Sequence, residues 1–137
     1  MILVDAGPLV ALVDGDDQHH ENCVAALRKL REPMGTVWPA VTEAMYLLVD
    51  LPTAQEAVWD MLDRGAVELL HLDLADISRI RELMQKYADR PMDLADAALV
   101  RVAGINPAAP GRFNCGPPCP RARSPRSGAG TPAKTAT

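Results

Sequence analysis

The sequence predicts an α/β fold in which short parallel strands alternate with helices. Ile2-Leu3-Val4 is an aliphatic run that stops at Asp5, as expected for a strand covered on both faces. Two further strand-like runs lie downstream, and the segments between them carry apolar residues at helical spacing. This order indicates a central parallel sheet with helices packed on its faces, a three-layer α/β/α sandwich.

Local signals give approximate limits to these elements. Prolines suit the first turn of a helix, Thr53 and Glu56 have the spacing of a capping box, and aspartates are good helix caps. We expect strands over residues 2–5, 35–38 and 67–72, and helices that begin near Pro8, Asp17, Pro39, Thr53, Asp73 and Asp93.

Composition sets the class of protein. A chain of 137 residues with 48% hydrophobic residues is long enough for one domain with one continuous core. No apolar run is long enough to span a bilayer, so no membrane association is expected. The N-terminus has no basic region before Asp5, so we predict no signal peptide and a cytoplasmic location.

The last quarter of the chain differs sharply from the rest. All 18 acidic residues lie at or before Asp96, and 7 of the 12 prolines follow Gly104. Residues 1–103 therefore carry a net charge of −9 and residues 104–137 a net charge of +5, with few large apolar side chains in the second segment. We predict a folded domain over 1–103, a disordered tail over 104–137, and no C-terminal strand.

Four carboxylates are candidates for chemistry. Asp5 follows the first strand, where parallel sheets place their sites, but it could equally cap the next helix. Glu43 lies in an apolar helix, where a lone carboxylate is costly unless paired, yet it could also lie on a solvated first turn. Asp93 and Asp96 are three residues apart and would share a helix face, which favours either a bound cation or simple capping.

The order of these residues resembles the PIN-domain family, and more closely its VapC-like toxin branch. The resemblance rests on Leu3-Val4-Asp5-Ala6-Gly7-Pro8, on Thr42-Glu43-Ala44 and on Asp93-Leu94-Ala95-Asp96-Ala97, and it covers residues 1 to about 103. It implies a PIN-like sandwich with an acidic pocket in which Asp5, Glu43, Asp93 and Asp96 are catalytic. Asp5 and Asp96 would hold the metal, Mg²⁺ or Mn²⁺.

The resemblance implies a metal-dependent endoribonuclease that acts on RNA, is restrained by a cognate antitoxin and can form a homodimer. Two departures stand against it: Ala6 occupies a place where the family often has a hydroxyl residue, and no Asp or Glu follows Asp96. The second favours an alternative, a catalytically impaired PIN-like module that binds an antitoxin or itself. A phosphoacceptor signalling domain is a third interpretation, but the paired acids after the first strand and the late lysine that it needs are missing.

Overall fold

The computed structural model describes residues 1–87 and 92–105, together with the backbone of residues 111–113. In chain order the elements are β1 (Ile2–Val4), α1 (Ala6–Val13), α2 (His20–Lys29), β2 (Met34–Thr36), α3 (Trp38–Leu47), α4 (Pro52–Asp63), β3 (Val67–Leu69), a 3₁₀ turn (Leu74–Asp76), α5 (Ile77–Lys86), α6 (Leu94–Ile105) and β4 (Gly111–Phe113). The predicted α/β architecture with a parallel sheet is confirmed.

The four strands form one parallel sheet in the order β3-β2-β1-β4. β1 is central, with Leu3 opposite Gly35 of β2 and opposite Arg112 of β4. The chain moves from β1 to β2 and β3 on one side, and β4 lies on the other side of β1. The strand order therefore reverses at β1, which makes the carboxyl ends of β1 and β4 the topological switch point of the sheet.

Helices cover both faces of the sheet, as neighbouring residues of β1 show. Val4 belongs to a buried cluster with residues of α1 and α3, including Leu9, Val41 and Ala44. Leu3 points to the opposite face and packs in a second cluster with residues of α3 and α6. Because side chains alternate along a strand, these two clusters are the inner surfaces of the three-layer sandwich.

The helix limits differ from the predicted ones mainly at caps. The capping box predicted at Thr53 is wrong: α4 begins at Pro52 and its N-cap, Leu51, makes no side-chain capping bond. Proline suits the first helical position because it has no N–H to satisfy, and the N-cap lies two residues earlier than predicted, at Leu51. A capping box does occur at the 3₁₀ turn, between Asp73 and Asp76.

The prediction that a C-terminal strand is missing is also wrong. Gly111–Phe113 forms β4 and pairs with β1 through three residue pairs, Ile2 with Gly111, Leu3 with Arg112 and Val4 with Phe113. A parallel ladder needs backbone donors, and this three-residue segment contains no proline, although it lies in a proline-rich region. The disorder predicted for the rest of the tail concerns residues outside the described ones. α6 extends to Ile105, two residues beyond its expected end.

None of the helices in the described ranges is both long enough and apolar enough to cross a membrane.

Candidate active site

Asp5 lies immediately after β1, at the switch point. It is the N-cap of α1: its backbone is extended, and its Oδ1 accepts a hydrogen bond of 2.8 Å from the Ala6 N–H. Its own carbonyl oxygen accepts the first helical bond, from the Leu9 N–H at 3.2 Å. The side chain is half-buried. The capping role weighed from the sequence is therefore present.

Glu43 lies on α3, little more than one turn from its start. α3 buries Ala40, Val41 and Ala44 against the core, whereas Glu43 and its neighbour Thr42 are exposed. The argument that Glu43 sits in apolar surroundings and needs a partner for that reason is wrong. An amphipathic helix can bury the alanines on one face and present a carboxylate to solvent on the other.

Asp93 and Asp96 begin α6. Asp93 Oδ1 accepts a hydrogen bond of 2.8 Å from the Asp96 N–H, and the Asp93 carbonyl accepts one of 3.1 Å from the Ala97 N–H. Asp93 is thus the N-cap of α6, which agrees with the capping interpretation of the sequence. Its side chain is exposed. Asp96 is half-buried between two fully buried alanines, Ala95 and Ala97. Of the pair, Asp96 is the residue that is less exposed to solvent.

The topology brings these elements to one edge of the sheet. α3 follows β2 after a single residue, so its first turns lie at the carboxyl edge. α6 precedes β4, and because β4 is parallel to β1, α6 must return the chain to the amino edge. The first turn of α6 therefore lies at the carboxyl edge too, where Asp5 ends β1.

Alanine contacts keep these helices close together. Ala40 of α3 belongs to the same buried cluster as Ala95 and Ala98 of α6. One turn later, Ala44 of α3 packs in the other cluster with Ala6 of α1. Glu43 lies between Ala40 and Ala44 in sequence, so α3 is fixed on both sides of it. These small side chains allow close approach of α1, α3 and α6, the helices on which or next to which the acidic residues lie.

Whether the four carboxylates converge on one metal remains a prediction. Within residues 1–87, 92–105 and 111–113, no group of three or more His, Cys, Asp or Glu side chains is arranged to hold a metal ion. The donor chemistry suits Mg²⁺ or Mn²⁺, which are bound by carboxylate oxygens. Mg²⁺ usually retains several waters and takes one or two carboxylates, so a site for it does not require a cluster of three such side chains.

Sequence analysis missed one buried ion pair. Asp76 is 5% exposed; its Oδ2 accepts from the Asp73 N–H at 2.9 Å and its Oδ1 from Arg101 Nε at 2.6 Å. The Asp73 N–H and the Arg101 guanidinium hold the pKa of the Asp76 carboxyl below its ordinary value of 3.8, against the opposing effect of burial. The pair ties the start of α5 to α6. The Asp-x-x-Asp spacing signalled the cap, but nothing in the sequence pointed to Arg101, 25 residues away.

Sequence analysis also passed over Thr36. Its side chain is fully buried at the end of β2, and its hydroxyl donates a 2.8 Å hydrogen bond to the carbonyl oxygen of Val4, the residue before Asp5.

A parallel sheet with carboxylates at its switch point defines a class of α/β proteins whose acidic edge is suited to metal-dependent chemistry. A sequence model of the PIN domain matches residues 2–106, so this chain belongs to the PIN-domain family. The proteins of that family are in general nucleases that use divalent metal ions.

Among solved structures, the fold is similar to that of the Mycobacterium tuberculosis toxin VapC20, described as cleaving the sarcin-ricin loop. The TM-score is 0.73, the sequences are 17% identical, and the match covers 83% of this chain and 90% of that one. At a sequence identity this low, the similarity shows a shared fold alone. No curated protein sequence matches the chain.

Proposed function

We propose that this chain is an endoribonuclease of the VapC-like toxin type that hydrolyses RNA phosphodiester bonds with Mg²⁺ or Mn²⁺. The observation that carries the proposal is the placement of Asp5 at the switch point of a PIN sheet, at the edge where α6 begins with Asp93 and Asp96. Ligands of open α/β sheets bind at that position. The solved VapC20 toxin, which has a similar fold, is described as cleaving the sarcin-ricin loop.

The four acidic residues have distinct parts in this proposal. Asp5 and Asp96 are half-buried and held by their elements, so they are the metal ligands. Glu43 is exposed on α3 and can accept a proton from the attacking water or orient it. Asp93 caps α6 and fixes the first turn that carries Asp96. A divalent metal ion held by Asp5 and Asp96 would lower the pKa of a bound water and offset charge on the phosphate.

The direct test is cleavage of end-labelled RNA by the purified chain. We expect cleavage with Mg²⁺ or Mn²⁺, loss of cleavage on chelation, and loss in Asp5→Asn. Asp60→Asn is a matched control, because it also removes one carboxylate charge but from an exposed surface pair with Arg64 on α4. Equal cleavage with and without chelator, or undiminished cleavage by folded Asp5→Asn, would refute the proposal.

A second candidate function is a PIN module that binds a partner without cutting RNA. Two observations favour it: no Asp or Glu follows Asp96, and the described residues hold no ready-made cluster of three metal-binding side chains. Wild-type protein that fails to cleave RNA yet forms a stable complex with an antitoxin would establish this function instead.

Two kinds of partner are part of the proposal, an antitoxin and a second copy of the chain. Large apolar side chains lie exposed on α3 and α4, among them Trp38, Tyr46 and Trp59, which are 55%, 66% and 43% exposed. The Trp38 and Trp59 rings are 6.4 Å apart and form one aromatic surface. Light scattering after gel filtration measures self-association, and co-expression with the antitoxin measures complex formation. We further propose that the protein acts in the cytoplasm.

A further inference from the structure

We infer that Thr36 is a positioning residue for Asp5, acting through the carbonyl group of Val4. The inference rests on the proposed function, because it assigns a role in placing a metal ligand. Thr36 is the last residue of β2, its side chain is fully buried, and its Oγ1 lies 2.8 Å from the Val4 oxygen. That oxygen belongs to the peptide group whose nitrogen is the backbone nitrogen of Asp5.

The β1–β2 ladder explains why a side chain makes this contact. β1 and β2 pair at Ile2 with Met34 and at Leu3 with Gly35, whereas β2 and β3 continue pairing to Thr36 with Leu69. At the last position of β2 the link to β1 is thus the Thr36 hydroxyl. Thr36 is itself held from the other side, because its carbonyl accepts a 2.8 Å bond from the Leu70 N–H. The donor is therefore fixed before it reaches β1.

Asp5 is then anchored from both chain directions. Downstream, the Ala6 and Leu9 N–H groups bond to its side chain and carbonyl and set it as the cap of α1. Upstream, Thr36 sets the plane of the peptide bond that enters Asp5 from the β2 side. The direction of the Asp5 side chain depends on both anchors, because rotation of that peptide plane moves the Asp5 Cα–Cβ bond. A metal ligand needs this kind of support from a second layer of contacts.

Thr36→Val and Thr36→Ser separate this role from packing. Valine has nearly the shape of threonine but no hydroxyl, and serine keeps the hydroxyl but loses the methyl group. We expect Thr36→Val to lose on the order of ten- to a hundredfold in turnover number or in Mn²⁺ affinity, as removal of a second-layer partner does elsewhere. The KM for RNA should change little, because Thr36 is buried and does not reach the substrate. Thr36→Ser should remain close to wild type in both quantities.

Val58→Ala is the control for stability alone. Val58 is fully buried on α4 in a separate cluster with Leu48 and Ala54. This variant should lower the melting temperature without changing turnover number or Mn²⁺ affinity. It shows what destabilisation by itself does to the two readouts.

The experiment measures RNA cleavage kinetics and Mn²⁺ binding by calorimetry for the full chain and the three variants. If wild type is active and folded Thr36→Val matches it in turnover and in Mn²⁺ affinity, the inference is overturned and the proposed function stands. Equal losses in Thr36→Val and Thr36→Ser would also overturn it, because packing would then be the cause. If Thr36→Val does not fold, Thr36→Ser with wild-type turnover and Mn²⁺ affinity supports the inference, and a loss of either overturns it. Wild-type protein that neither cleaves RNA nor binds Mn²⁺ would refute the proposed function and the inference with it.

Discussion

Replacing Asp5 by asparagine or by alanine separates its two roles, helix cap and proposed metal ligand. Asparagine is as good an N-cap as aspartate and has nearly the same volume. The free energy of unfolding of Asp5→Asn should therefore lie within about 0.5 kcal/mol of the wild-type value. Alanine removes the bond to the Ala6 N–H. That bond goes to the first helical residue and not to the second or third, where capping is strongest. The cost should therefore lie at the low end of the capping range, about 0.5–1 kcal/mol.

A loss of that size lowers the melting temperature by roughly 2–6 °C in a domain of this length. Thermal unfolding followed by circular dichroism measures it, and cleavage of labelled RNA in Mg²⁺ measures function on the same samples. We expect both variants to lose cleavage but only Asp5→Ala to lose stability. An Asp5→Asn protein that cuts RNA like wild type would show that Asp5 is only a cap. An Asp5→Asn protein as unstable as Asp5→Ala would show that the charge itself holds α1 in place.

Three further outcomes follow from the structure. Asp96→Asn should abolish cleavage and leave the melting temperature nearly unchanged. Asp93→Ala removes the cap of α6, so it should lower stability by about 1 kcal/mol and reduce cleavage as well. Equal cleavage by the two variants would contradict their separate roles. The lowered pKa of Asp76 means that its ionised form stabilises the fold above the ordinary value of 3.8, and that this stability is lost as pH falls through the lower folded pKa. Asp76→Asn should therefore flatten the fall in melting temperature below about pH 4, and an unchanged acid limb would refute that assignment. Ending the chain after Pro110 removes β4 and exposes one edge of β1, so the melting temperature should drop, and an unaltered melting curve would show that β4 adds nothing.

The sequence predicts the parts of the fold that depend on local pattern. β1 is recognisable because three aliphatic residues end at a carboxylate, and five of the helix starts lie close to a proline or an aspartate. β4 was missed because its three residues carry no apolar pattern and lie among prolines. Its place in the sheet depends on pairing with β1, which is more than a hundred residues away, and a local reading contains no such information.

In the candidate site, too, features set by local sequence could be predicted and features set by long-range contacts could not. Asp93 as a cap is readable from the spacing of three residues to Asp96. The exposure of Glu43 is not readable, because it depends on which side of α3 packs against α1 and α6. The roles of Thr36 and Arg101 could not be predicted for a similar reason. Thr36 contacts Val4 and Arg101 contacts Asp76, both distant in sequence, and the sequence near either residue has no distinguishing feature.

The central position of β1 has a consequence for the order of events during synthesis. Ile2–Val4 leaves the ribosome before its partner Gly111–Phe113, which is made more than a hundred residues later. At about 5–20 residues per second, roughly 5–20 s separate the two. Throughout that interval the strand that ends at Asp5 has one open side. The edge of the sheet at which Asp5 lies is therefore complete only after residue 113 has been made.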